Sequence, residues 1–300
     1  MNNGVLCFYK PKGCTSHDVV YKIRKLYGTR QVGHTGTLDP LAEGVLVLMV
    51  GRAVKASEFL CSDVKEYIAG MRLGLTTDTE DITGAVLSEY GGAMPTSYEV
   101  KAAVSAFTGA IEQIPPMYSA IKVNGKKLLE LAREGKEIER KARQVYVDRL
   151  ELYPTERNDE YMLNARVSKG TYIRTLCADI GKSLGTGAVM SSLIRTSCGS
   201  FGIEDAVTEE QLEKMTFEER YALLRPVEEL FDECDTVVLS DFFAHLGAHG
   251  CELYQKKLGT HFENGALVRL FDKDGFFALG RVMDFEDGSA IKPVKQFRVG

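Results

Sequence analysis

The stretch Gly33-His34-Thr35-Gly36-Thr37-Leu38-Asp39-Pro40-Leu41-Ala42-Glu43-Gly44 runs directly into the apolar segment Val45 to Val50. That segment is uncharged and bounded by glycines, as expected of a strand buried on both faces. The stretch before it is a glycine-punctuated loop with one histidine and an aspartate. Glycines 33, 36 and 44 would let the backbone turn tightly and approach a ligand closely. Pro40 pushes Asp39 away from the helical region toward an extended conformation. A carboxylate is thereby held at a defined place on a loop anchored by a rigid strand, and such loops often carry function. The same features also suit an ordinary connection, because Asp-Pro commonly opens a turn. Neither nucleotide fingerprint fits: no Lys-Ser/Thr follows the glycines, and the strand–G-x-G-x-x-G–helix order is missing.

Outward from this loop, a chain of 300 residues has room for one large domain, or for a large and a small one. Its 44% hydrophobic content supports a real core. A formal net charge of -5 argues against a general polyanion sponge but leaves room for a local basic patch. The cysteines number 7, without a C-x-x-C pair, which fits a reduced, cytosolic compartment better than a disulfide scaffold. The first residues lack the charged-then-apolar pattern of a signal peptide. No apolar run approaches the roughly 20 residues needed to span a bilayer.

Along the chain, Val5 to Tyr9 reads as a strand and Lys10-Pro11-Lys12-Gly13 as a turn. Ser16 is the expected N-cap of a helix carrying Val19, Val20, Ile23 and Leu26 on one face and closed by Gly28. A helix is expected over 53–61, then a strand in which Tyr67, Ala69, Met71 and Leu73 alternate onto one face. Thr76 to Asp81 reads as a solvated acidic turn, since its spacing matches no Ca²⁺ loop. Thr96 and Glu99 form a capping box for a helix to about Phe107. Asn124-Gly125 is a hairpin signal. From Lys122 to Arg149 positive side chains outnumber negative ones, so this segment is either a solvated charged helix or a basic arm that grips phosphates.

Strands are expected near 145–153 and 161–167. The polar cluster Ser168-Lys169-Gly170-Thr171-Tyr172-Ile173-Arg174-Thr175 then opens a helix to about Leu184, and a strand over 189–197 carries Leu193 and Arg195. Short helices over 208–224, a connector over 226–235 and Gly-turned strands over 236–300 complete the reading. His245 and His249 lack the glutamate of H-E-x-x-H, so a metal site is not expected there. The expected architecture is α+β. A mixed, mostly antiparallel central sheet flanked by helices fills residues 1–230, with a cleft across it, and a small β-rich domain fills 236–300.

Three segments carry more together than apart: Gly33 to Ala42 with Gly44 and Leu46, Lys65-Glu66-Tyr67, and Ser168 to Thr175. With Lys10-Pro11 and Gln113-Ile114-Pro115-Pro116-Met117-Tyr118-Ser119-Ala120, they resemble the motifs of the TruB family of tRNA pseudouridine synthases over roughly residues 4–200. The likeness weakens after about residue 230, where that family carries variable, PUA-like C-terminal modules. The resemblance implies the pseudouridine synthase fold and isomerisation of uridine 55 in the T-loop of tRNA, with no cofactor and no metal.

It implies residue roles as well. Asp39 would be the essential carboxylate, acting as nucleophile or general base at the ribose. Arg174 would pair with it, and Asp81 would support Arg174. Tyr67 would stack on the flipped base, Tyr172 would contact it, and Leu193 would line the apolar side of the pocket. His34 would fill the place the base vacates, and Lys10 would stand on the substrate side. An insertion over about 115–150 would clamp the T-loop, with Lys126, Lys127 and Arg133 meeting phosphates. The implied partner is the tRNA T-arm, bound by a cytoplasmic monomer with no membrane and no nucleotide cofactor. Three rivals stay open: a guide-RNP relative acting on ribosomal RNA, an RNA-binding module whose catalysis is secondary, and a glycosidase. The last needs a paired acid, for which Asp81 is the candidate.

Overall fold

The computed structural model describes residues 3–59, 64–119, 121–123 and 125–298; the last two positions of the helix expected over 53–61, Ala120 and Asn124 of the stretches quoted above, and the side chain of Lys127 lie outside the described residues. The chain opens with β1 (Gly4–Lys10), α1 (Ser16–Leu26), β2 (Val32–His34) and β3 (Glu43–Val50). Thr15, not Ser16, caps α1: it accepts from the Asp18 amide while Asp18 reaches back to the Thr15 amide. The helix expected over 53–61 is a 3-10 helix over Gly51–Glu58. Its N-cap residue Val50 makes no side-chain hydrogen bond.

Next come β4 (Lys65–Leu73), the hairpin of β5 (Leu75–Thr77) and β6 (Val86–Glu89), α2 (Ser97–Ser105) and β7 (Gly109–Gln113). The charged segment is not one long helix. It holds a small hairpin of β8 (Lys122–Val123) and β9 (Lys126–Lys127), the short α3 (Leu128–Arg133) and the start of β10 (Arg143–Pro154). Then follow β11 (Glu160–Val167), α4 (Ile173–Ser183), β12 (Ala188–Cys198), β13 (Phe201–Gly202), α5 (Glu209–Lys214) and α6 (Phe217–Ala222).

Nine strands form one sheet in the order β1-β3-β12-β4-β11-β10-β7, with β2 on β3 and β13 on β12. Among the described residues its pairings are antiparallel except for β12 with β3, so the mixed, mostly antiparallel expectation holds. β3 is buried from Gly44 to Val50 because both its faces are covered. Leu46, Leu48 and Val50 belong to the same core cluster as Val19, Val20 and Ile23 of α1, whereas Val45 and Val47 cluster with Val5, Cys7 and Phe201. β12 is the central join. Arg195 lies in parallel register with Gly44 on one side and in antiparallel register with Tyr67 on the other.

The remaining elements are β14 (Asp235–Val238), α7 (Asp241–Ala248), β15 (Leu253–Tyr254), α8 (Gln255–Leu258), β16 (Leu267–Asp272), β17 (Gly275–Phe285) and β18 (Gly288–Gln296). They build a second sheet, ordered β14-β16-β17-β18-β15. The stretch read as a connector is packed: Val227 and Phe231 share an apolar cluster with Met49, Ala53, Ala56, Leu279 and Phe297. Among the described residues no helix is long and apolar enough to cross a membrane.

Of the three loop glycines, Gly44 is the one the backbone demands. It sits at φ +101, and a Cβ there would lie 2.3 Å from the Arg195 carbonyl oxygen. A Cβ on Gly36 would meet nothing nearer than Lys65 Cε at 3.4 Å, and one on Gly33 nothing nearer than Met49 Cε at 3.6 Å. Gly44→Ala is therefore expected to lower stability by about 2–4 kcal/mol, and Gly36→Ala by less than about 1 kcal/mol. Urea denaturation of the two variants checks this, and equal midpoints would contradict it.

Candidate active site

On one side the loop between β2 and β3 is gripped by the turn from β1 into α1. Lys10 Nζ donates to the Ala42 carbonyl at 2.5 Å and to the Pro11 carbonyl at 3.1 Å. The Gly13 amide donates to the Pro40 carbonyl at 2.7 Å. Ser16 Oγ accepts from the Leu38 amide at 2.8 Å and donates to the Leu38 carbonyl at 3.0 Å. Leu38, Leu41 and Ala42 are buried in the core. Asp39 stands between these anchors, with its side chain 35% exposed.

The carboxylate meets Arg174 in the first turn of α4, with Nε 3.0 Å from Asp39 Oδ2. The rest of the buried guanidinium is held by backbone. Nη1 donates to the Thr79 carbonyl at 3.0 Å, and Nη2 to the Tyr118 carbonyl at 2.9 Å. Asp81 Oδ2 lies 3.9 Å from Nη1. Asp81 is 5% exposed, so its turn is not the solvated one expected. Its Oδ1 is satisfied by the Thr79 hydroxyl and by the Thr83 amide and hydroxyl. The turn is also tied to β12, with the Ile82 amide donating to the Met190 carbonyl and the Met190 amide to the Glu80 carbonyl. Burial pushes the Asp39 carboxyl above its usual range; Arg174 pulls it back down, Asp81 adds to the rise, and Lys10 opposes it.

The other candidates fall on elements around this pair. Tyr67 and Leu193 are buried on β4 and β12. Leu193 is opposite Ala69 and Arg195 opposite Tyr67, and directly opposed residues project from the same face of a sheet. Tyr67 and Leu193 therefore share one face. His34 ends β2, half-buried, with Nδ1 lacking a hydrogen-bond partner. Burial lowers its pKa, and Arg195 and His17 act in the same direction. Tyr172 is the N-cap residue of α4. Its amide donates to Gln113 Oε1 at 2.8 Å, and Gln113 Nε2 donates back to its carbonyl at 3.0 Å.

Lys10 is fully buried, and its ammonium is taken up by one loop carbonyl, that of Ala42, and by the Pro11 carbonyl of its own turn. Lys126 is exposed and paired with Glu134 at 3.5 Å, and Arg133 is exposed beside it.

Sequence reading missed the parts played by Ser16, Gln113 and Arg195. The spacing of Thr15 and Asp18 held the signal for Ser16: a capping box there takes Thr15 as cap and frees the next hydroxyl. Gln113 opens one of the family-like motifs, but nothing local points to its partner Tyr172, 59 residues away.

Residues 24–173 match the TruB family pseudouridylate synthase N-terminal domain, and residues 174–232 match the tRNA pseudouridylate synthase B C-terminal domain. The chain is 39% identical over 280 residues to tRNA pseudouridine synthase B of Clostridium tetani, covering 93% of this chain and 95% of that one. It is 42% identical over 284 residues to the protein of the same name from Bacillus pumilus, covering 92% and 91%. Among solved structures, a chain of a Cbf5-Nop10-Gar1 complex superposes with a TM-score of 0.77 at 28% identity, covering 99% of this chain and 85% of that one. Fold and sequence together thus define a pseudouridylate synthase, an isomerase. Within that class the chain belongs to the TruB family.

The direction of the Asp39 shift has a consequence for stability. The folded state holds the Asp39 proton more tightly than the unfolded chain does. Its contribution is complete below the ordinary value of 3.8 and is lost as pH rises through the higher folded value. Asp39→Asn is therefore expected to melt at or above the wild-type temperature at pH 7. A lower Tm would show that the ion pair outweighs burial.

Proposed function

We propose that this protein converts uridine 55 in the T-loop of tRNA to pseudouridine, with Asp39 as the essential carboxylate. The observation that carries the reading is the Asp39–Arg174 pair at 3.0 Å, on a loop tethered from three points. Relatives named tRNA pseudouridine synthase B match over more than nine-tenths of both chains, whereas the chain of the Cbf5-Nop10-Gar1 complex is more distant in sequence. This favours a stand-alone tRNA enzyme; a cytoplasmic monomer is part of the same proposal. On the same reading, residues 1–230 are the catalytic domain and residues 236–300 a small PUA-like domain.

The isomerisation breaks the bond from uracil N1 to C1′ of the ribose, turns the base and joins C5 to C1′. A proton leaves C5 and one is gained at N1, so neither a redox partner nor an outside group donor is required. Asp39 must be ionised to act as nucleophile or base. Arg174 favours that form and aims the carboxylate. The target base must leave its stack, at a cost of a few kcal/mol. Tyr67 stacks on it, which is typically worth about 1–3 kcal/mol. Leu193 closes the apolar side, Tyr172 contacts the base near C5, and His34 occupies the vacated position in the RNA. Asp81 and Lys10 serve indirectly, Asp81 by holding Arg174 and Lys10 by holding the loop. A glycosidase needs a second acid open to the substrate. Asp81 does not offer one, because one oxygen is saturated and the other faces Arg174.

Two experiments test this reading. Tritium release from tRNA labelled at uridine C5 should proceed with wild type and fall to background in Asp39→Ala. Equal release by the two would remove Asp39 from the chemistry, and bound tRNA without release by wild type would favour a binding module. Neutralising Lys126, Lys127 and Arg133 together should weaken tRNA binding and flatten its log–log salt dependence by up to about 2–3 units. An unchanged slope would count against a phosphate-gripping arm.

A further inference from the structure

Arg195 is the largest fully buried side chain among the described residues, at 1% exposure. A buried cation is costly unless its donors are met, and an apolar residue could fill the same space at less cost. Its Nε donates to the Val45 carbonyl at 2.7 Å, and Nη2 to the Gly36 carbonyl at 3.1 Å. The guanidinium also acts on the phenol of Tyr67, which is directly opposite in register. Its backbone carbonyl, in turn, is the atom that Gly44 must clear. One residue therefore touches both ends of the loop bearing Asp39 and the tyrosine beside it.

The planar fork of an arginine fixes several acceptors in one plane, which a lysine ammonium cannot do. We propose that Arg195 is a positioning residue for the reaction, locking the Tyr67 ring to the catalytic loop at Gly36 and so setting the distance between the stacked base and Asp39. This rests on the roles of Asp39 and Tyr67 stated above. Arg195 itself stays out of contact with the base and acts through these two partners.

The test is single-turnover pseudouridine formation and tRNA binding by the full chain, using an unmodified tRNA transcript. Arg195→Met should slow the chemical step about 100-fold, the scale expected of a misplacement near 1 Å, while the tRNA Kd changes by less than about threefold. Arg195→Lys, with the charge but not the fork, should recover only about a tenth of the wild-type rate. Combining Arg195→Met with Tyr67→Phe should cost at least about tenfold less than the product of the single losses, because both remove one link. If Arg195→Met melts below the assay temperature, Arg195→Lys replaces it in this cycle. Multiplicative losses, or a wild-type rate in Arg195→Lys, overturn the proposal. A wild-type rate in Arg195→Met beside an inactive Asp39→Ala overturns it alone. Wild-type rates in both Asp39→Ala and Tyr67→Phe overturn the site reading and this inference with it.

Discussion

The Asp39 carboxylate stands where burial opposes its charge, and much of the surrounding architecture offsets that opposition. Arg174 supplies the compensating cation, but a buried guanidinium has demands of its own. They are met by main-chain carbonyls of Thr79 and Tyr118, which come from two separate loops. The Thr79 turn is in turn held by the hydroxyls around Asp81 and by its bonds to β12. A charge in the cleft is thus balanced through successive shells of polar contacts, each shell fixing the one inside it. Fixed dipoles of this sort need no rearrangement when charge moves during a reaction.

Position is enforced separately from charge. Lys10, Gly13 and Ser16 hold the main chain on either side of Asp39, while Leu38 and Leu41 are buried in the core. The loop consequently has the order of a strand without belonging to one. The apolar cluster of Met49, Ala53, Phe231, Leu279 and Phe297 extends that rigidity into the second sheet, because Met49 lies on the strand the loop enters.

What could be read from sequence was what depends on periodicity and local chemistry. The β3 run, the alternation of Tyr67 to Leu73, the Thr96 capping box and the Gly-turned strands after residue 236, with turns at Gly275 and Gly288, all lie where their patterns place them. The three motifs forecast that Asp39, Tyr67 and Arg174 would belong together, but not through which strand. Parallel pairing of β12 with β3 leaves no local trace, since it joins residues far apart in the chain. The Asp81 turn departs from the solvated expectation for a related reason: its polar composition suits solvent, yet its threonines are spent on the carboxylate rather than on water. Composition does not reveal where φ turns positive, so it cannot separate Gly44 from Gly33 and Gly36.

The position of β12 also has a consequence for how the protein is born. Residues 4–50 supply the strand carrying the Asp39 loop, and residues 65–167 supply the strands around Tyr67, but the sheet joins these two halves through β12. The bond from Arg195 to Val45 spans 150 residues. A ribosome-bound chain that has not yet extruded residues 188–198 holds both halves of the cleft and no seam between them. It can meet RNA in the cell for most of its synthesis without being able to act on it.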